Sequence, residues 1–180
     1  MLRQSFCAFL WLQGVCLISI VSLKAQSSYF QQAVNYKIEA SLDDQSHMLK
    51  GNIEIQYTNH APKALDVIWM HLWANAFKNT RTAYCKQTLR EGNTRFYFSS
   101  EDERGYYKEL NFTVDQKTVS WCFDPENPDI ALIELAHLLQ PGETIHIQTP
   151  FLLKIPASFS RLGHVETSYQ MTQWYPKPAV

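Results

Sequence analysis

Hydrophobic and polar residues alternate along several stretches of this chain, the period expected of a β-strand with one face turned to water. Tyr36, Ile38, Ala40 and Leu42 alternate with Lys37, Glu39 and Ser41. After the turn-forming run Asp43-Asp44-Gln45-Ser46, Met48 to Asn59 resumes the pattern, with Ile53, Ile55 and Tyr57 opposite Glu54, Gln56 and Thr58. Together these predict an antiparallel hairpin. Ala64 to Trp73, with Leu65, Val67, Ile68, Trp69, Met70 and Leu72, is apolar almost throughout and predicts a strand buried on both faces. His71 inside that run is expected to be buried and satisfied by a neighbour. Strand character returns at Leu110 to Val114, Thr118 to Phe123, Ile130 to Leu135 and Ile145 to Phe151. Turn clusters separate these stretches at Asp115-Gln116-Lys117, Asp124 to Pro128 and Leu138 to Gly142. One short helix is predicted around Thr82 to Arg90. Regular strands without a long amphipathic helix predict an all-β fold, a mainly antiparallel β-sandwich or related sheet.

The first 25 residues differ in kind. Arg3 precedes an apolar run from Phe6 to Leu23, broken only by Gln13, Gly14, Ser19 and Ser22, and Ala25 offers a small residue before Gln26. This is the three-part pattern of a signal peptide, predicting a leader over residues 1–25, export to the periplasm or the cell exterior, and a mature β domain over residues 26–180. The same run is long enough to serve as an uncleaved anchor. Stable membrane insertion is not expected after cleavage. Cys7 and Cys16 lie in the leader, leaving Cys85 and Cys122. An oxidising compartment permits a disulfide between them, and two separate thiols fit the sequence equally well.

Composition narrows the function. The 16 basic and 17 acidic residues nearly cancel, so no basic face for nucleic acid is expected. Aromatic residues make up 13% of the chain, which suits pleated, half-buried surfaces. The helical zinc motif His-Glu-x-x-His, which sets two imidazoles on one helix face, is absent, and no two of the six histidines stand four apart. There is no glycine loop for phosphate and no Gly-x-Ser-x-Gly elbow. No catalytic residue, metal ligand or resident cofactor is therefore assigned to this chain.

Four stretches carry a resemblance. Tyr36-Lys37-Ile38 through Leu42-Asp43 is followed by Leu49-Lys50-Gly51 and Ile55-Gln56-Tyr57-Thr58-Asn59. Met70-His71-Leu72-Trp73-Ala74-Asn75-Ala76-Phe77 comes next. Phe151 to Pro156 then leads into Phe159-Ser160-Arg161-Leu162-Gly163-His164, and Tyr169-Gln170-Met171-Thr172-Gln173-Trp174-Tyr175-Pro176-Lys177-Pro178 closes the set. In order and spacing these are similar to the N-terminal domain of the membrane alanyl aminopeptidase (aminopeptidase N) family, zinc metallopeptidases, in its exported bacterial form. The resemblance implies a saddle-shaped antiparallel β domain. It also implies a following catalytic domain with zinc bound by His-Glu-x-x-His and a downstream glutamate, removing N-terminal residues from peptides. By the same resemblance, this chain is a fragment that shapes the rim of the peptide site and is inactive alone. Gln173 matches a glutamine that reaches the first residue of the bound peptide. Tyr175 stands where relatives often place a glutamate or glutamine that grips the free amino group, and a neutral phenol departs from that pattern. The alternative is a stand-alone exported β-sandwich that binds a partner without catalysis.

A face meant to dock on a catalytic domain is expected to be exposed and apolar in this chain, and such patches promote association. Light scattering on the purified mature chain is expected to show concentration-dependent self-association; a strict monomer at high concentration would count against the docking face.

Overall fold

A computed structural model of the protein describes residues 30–179. The leader read over residues 1–25 lies outside the described residues. The described chain is mainly β, in antiparallel, sandwich-like sheets. In chain order the strands are β1 (Ala33–Asp43), β2 (Met48–Thr58), β3 (Leu65–His71), β4 (Tyr106–Leu110), β5 (Thr113–Val114), β6 (Lys117–Thr118), β7 (Trp121–Phe123), β8 (Ile130–Leu139), β9 (Thr144–Lys154), β10 (Leu162–Val165), β11 (Ser168–Met171) and β12 (Lys177–Pro178). A short 3-10 helix, Trp73–Phe77, and one α-helix, α1 (Ala83–Arg90), follow β3.

The larger sheet runs β1-β2-β9-β5-β6, with β4 also on β9. Its register carries the sequence alternation across three strands: Tyr36 faces Ile55 and Ile55 faces Ile147, while Ile38 faces Ile53 and Ile53 faces Thr149. Since side chains alternate with period two, this register puts Leu49, Ile53, Ile55 and Tyr57 of β2 in one row with Ile145, Ile147, Phe151 and Leu153 of β9. Ile53, Ile55, Ile147 and Leu153 are fully buried there. The second sheet runs β12-β3-β8-β7 and supplies Ile68, Met70, Ala131 and Ile133 to the same core. The small β10–β11 hairpin forms a sheet of its own.

The β8–β9 turn carries the chain from the second sheet to the first, and a buried asparagine fixes it. Asn59 Nδ2 donates to the Lys63 and Leu139 carbonyls, both at 2.9 Å, and its Oδ1 accepts the Ala61 N–H at 2.9 Å. Its backbone N–H donates to Glu143 O at 2.9 Å and its carbonyl accepts Gly142 N–H at 2.7 Å. Every polar group of this buried side chain thus has a partner, as burial demands.

Three local expectations change. β3 is not buried on both faces: its burial alternates, and Trp69 is 46% exposed, because only Ile68 and Met70 point at the core. His71 is half-buried rather than buried, and it stacks on Trp73 with ring centroids 4.8 Å apart. The region before α1 is a 3-10 turn centred on buried Asn75, and β10 to β12 add strands where no strand pattern is legible. The helix expected near Thr82 to Arg90 is present, with the Thr82 hydroxyl accepting the Cys85 N–H at 3.3 Å as its N-cap. Cys85 is buried and Cys122 exposed, and both are free thiols. No helix among the described residues is long and apolar enough to cross a membrane.

Gly51 shows how tightly the row is packed. A Cβ there would stand 2.5 Å from the Phe151 ring and 2.6 Å from the Glu39 carbonyl, a backbone atom that cannot swing aside. Gly51→Ala is expected to destabilise the chain by about 1–3 kcal/mol, the usual cost of overpacking, read as a lower urea midpoint at unchanged slope.

Candidate functional site

The two residues singled out by sequence, Gln173 and Tyr175, follow β11 and leave the fold in different directions. Thr172 anchors the turn: its N–H and its hydroxyl both donate to the Arg161 carbonyl, at 3.2 and 2.8 Å. Gln173 then takes a left-handed backbone, φ 53°, which is uncommon for a residue with a Cβ. It is exposed, and it lines a cleft of about 280 Å³. Trp174 returns to the body of the protein, its carbonyl accepting the hydroxyl of buried Tyr107 at 2.7 Å. Burial holds the Tyr107 phenol well above its usual pKa, so it stays a neutral donor.

Tyr175 does not line the cleft with Gln173. Its ring packs edge-on against Tyr36 of β1, centroids 5.3 Å apart, and against Trp174 at 5.4 Å. The Tyr36 hydroxyl is buried without a hydrogen-bond partner among the described residues. Burial, and then the neighbouring Tyr175, push the Tyr36 phenol up to about 12.

Four separate stretches of chain build the cleft. The 3-10 helix gives Trp73 and Phe77, α1 gives Tyr84 and Gln87, the loop before β8 gives Asp129, and the β10–β11 region gives Ser160, Arg161, Leu162, Thr172 and Gln173. Buried Asn75 aligns the first of these with the rest. Its Nδ2 donates to Pro128 O at 2.8 Å, and its Oδ1 accepts the Tyr107 N–H at 2.9 Å. The Leu72 N–H donates to Asp129 O at 2.7 Å, setting Asp129 beside Trp73. The floor is an aromatic cluster: Tyr84 meets Phe77 at 4.8 Å and Phe96 at 5.3 Å, and the Tyr84 hydroxyl donates to Phe159 O at 3.1 Å.

The polar wall has spare capacity. Trp73 Nε1 and Asp129 Oδ1 are buried without hydrogen-bond partners among the described residues, and the Gln173 amide makes no hydrogen bond there either. Amide, guanidinium, hydroxyl and carboxylate groups over an apolar floor suit recognition of a polar backbone with an apolar side chain. Among the described residues the cleft lining holds no histidine, cysteine or lysine. A second groove of about 440 Å³ opens beside Val114, Leu135 and Ile145. Its carboxylates Asp115 and Glu143 are engaged by the His146 and Gln140 N–H groups, at 3.0 and 2.7 Å.

Sequence reasoning singled out Gln173 and missed Asp129, Tyr84 and Arg161 as its neighbours. Arg161 lay within a family-like stretch, whereas Asp129 had no signal beyond following the Asp124 to Pro128 break. No group of three or more His, Cys, Asp or Glu side chains able to hold a metal ion exists among the described residues. No protein-family model matches the chain, and no curated protein matches it.

The orphaned Tyr36 hydroxyl yields a direct test. Tyr36→Phe removes a buried polar group that has no partner, so stability at neutral pH is expected to stay equal or rise slightly. The native phenol titrates above its unfolded value of 10.0, so its contribution is present below pH 10 and is lost as pH rises towards 12. Urea unfolding at pH 8 and pH 11 is expected to show a smaller alkaline loss in the variant than in the parent.

Proposed function

We propose that this chain is the N-terminal β domain of an exported zinc aminopeptidase of the aminopeptidase N type, and that Gln173 is its contribution to the peptide site. The supporting observation is the placement of Gln173 itself. A left-handed backbone, held by two bonds from Thr172 to Arg161, sets its uncommitted amide at the edge of a cleft with an aromatic floor. Four other described residues with a Cβ, His47, Asp115, Gln116 and Glu166, share a positive φ in turns, and of the five Gln173 alone lines this cleft.

In this reading the Gln173 amide bonds the backbone of the peptide's first residue, donating from Nε2 and accepting at Oε1. Tyr175 supplies no charge for the free amino group; it braces the Gln173 turn against Tyr36 instead. Zinc, when bound by the complete enzyme, activates the attacking water. Its ligands would come from a catalytic domain, because this chain has no cluster for them among its described residues. The chain alone would thus bind weakly and not cleave, in the periplasm or outside the cell.

The purified mature chain is expected to hold no stoichiometric zinc and to leave fluorogenic amino-acid amides intact, while the coding DNA beyond codon 180 encodes His-Glu-x-x-His. In the complete enzyme, Gln173→Ala is expected to lower kcat/KM about tenfold, roughly the worth of one hydrogen bond to substrate. Turnover by this chain alone would overturn the reading by revealing a catalytic site within it, and a natural stop codon after Val180 would overturn it in favour of a stand-alone binding module.

A further inference from the structure

The β10–β11 hairpin forms a two-stranded sheet of its own. It pairs with neither large sheet; one isolated bridge, Ala157 to His164, flanks it. Two-stranded ribbons are marginal in water and need a further contact to stay folded. At the base Leu162 is buried in the core and Tyr169 and Met171 pack against it, while His164 bonds Pro156 and Ser158 through its backbone; the far end has a contact of its own. The His164 ring stacks on the His47 ring of the β1–β2 turn, centroids 3.6 Å apart and planes 18° apart. Tyr169 of β11 closes the group, its hydroxyl 2.7 Å from His47 Nδ1.

The hydrogen bonds constrain the protons. His164 Nδ1 faces the Glu166 carbonyl at 3.3 Å, which only accepts, so that nitrogen carries the hydrogen. Either His47 Nδ1 or the Tyr169 hydroxyl can donate in their bond, and that hydroxyl also reaches the Asp44 carbonyl at 3.4 Å. If His47 takes a proton, Nδ1 donates to the Tyr169 oxygen, and the tyrosine hydrogen can turn to that carbonyl. One proton is therefore accommodated. A second, on His164, puts two cations face to face within van der Waals distance.

We propose that the stacked His47–His164 pair is a pH-sensitive clasp that holds the β10–β11 hairpin on the β1–β2 turn and releases it when both rings are protonated. The charged groups around the stack are few. Asp43 and Asp44 sit on the same turn as His47, and the Asp43 carboxylate is held below its usual range chiefly by bonds from Ser46 and Gln45, with a smaller part from His47. Glu166 lies at the hairpin tip. Lys154, at the end of β9, turns its ammonium to the Glu101 carbonyl at 3.0 Å. Burial, and then His47, hold His164 below its usual 6.5. A depressed imidazole contributes stability above its unfolded pKa and loses it as pH falls through the folded one. Release would reach the cleft, because the hairpin base carries Arg161 and Thr172, which anchor Gln173.

Hydrogen exchange of the mature chain between pH 7.5 and 5.0, corrected for intrinsic rates, tests this directly. Protection of amides in 162–171 is expected to fall by up to about tenfold per pH unit for each proton taken up, while the β2 and β9 amides keep theirs. His164→Gln is expected to lose that slope, and His47→Gln, which removes the second charge but leaves His164 buried, is expected to lessen it. In the parent, NMR titration of the two rings is expected to show two steps more than about one pH unit apart. Equal loss of protection in β2 and β9, an unchanged slope in either variant, or two independent titrations near 6.5 would overturn the clasp. Should one variant fail to fold, the parent titration decides alone.

Discussion

Everything in this fold leans on the pairing of β2 with β9. The two strands match residue for residue over eleven positions, from Met48 opposite Lys154 to Thr58 opposite Thr144. Only in that register do Ile53, Ile55 and Tyr57 share a face with Ile147, Phe151 and Leu153; a slip by one residue would turn half of the core into water. β9 also accepts β4 and β5 on its other edge. The strand is therefore the spine from which the loops over the cleft are hung. Gly51 is where the fit is tightest, since the Phe151 ring occupies the space a side chain would need.

Buried polar side chains convert that spine into a defined surface. Asn59 locks the crossing from one sheet to the other, Asn75 binds the 3-10 turn to β4 and to the Pro128 loop, and Thr149 accepts the Asn111 N–H at 2.9 Å where β4 ends. Each imitates missing backbone partners in segments that are neither helix nor sheet. Against that background, Trp73 Nε1 and Asp129 Oδ1 stand out because they lack such partners among the described residues and line the same cleft.

The sequence made β1, β2 and β9 plain, because each has one wet face and a strict period of two. β3 misled because Val67 and Trp69 are apolar yet point away from the core, so the run reads as doubly buried. The β10–β11 hairpin was missed because its strands are four residues each, too short for the alternation of Ser168-Tyr169-Gln170-Met171 to stand out, and Leu162-Gly163-His164-Val165 has none. The cleft was legible at a single point, Gln173, and there only through resemblance. Its other groups come from residues 73 to 172, and nothing in linear order brings Asp129 to Trp73; a backbone bond from Leu72 does. The His47–His164 stack was invisible for the same reason, as each histidine alone reads as a surface residue.

The central register also has a history in time. Thr58 and its partner Thr144 are 86 residues apart in the chain, so the core sheet cannot close until most of the polypeptide is in hand. Local hairpins form in about microseconds, whereas closing so long a loop slows folding and leaves early structure waiting. β1 and β2 would stand as a ribbon with one greasy side until β9 arrives. A chain crossing a membrane N-terminus first would present that ribbon well before its cover, which makes the interval between the two a natural moment for a holding chaperone to act.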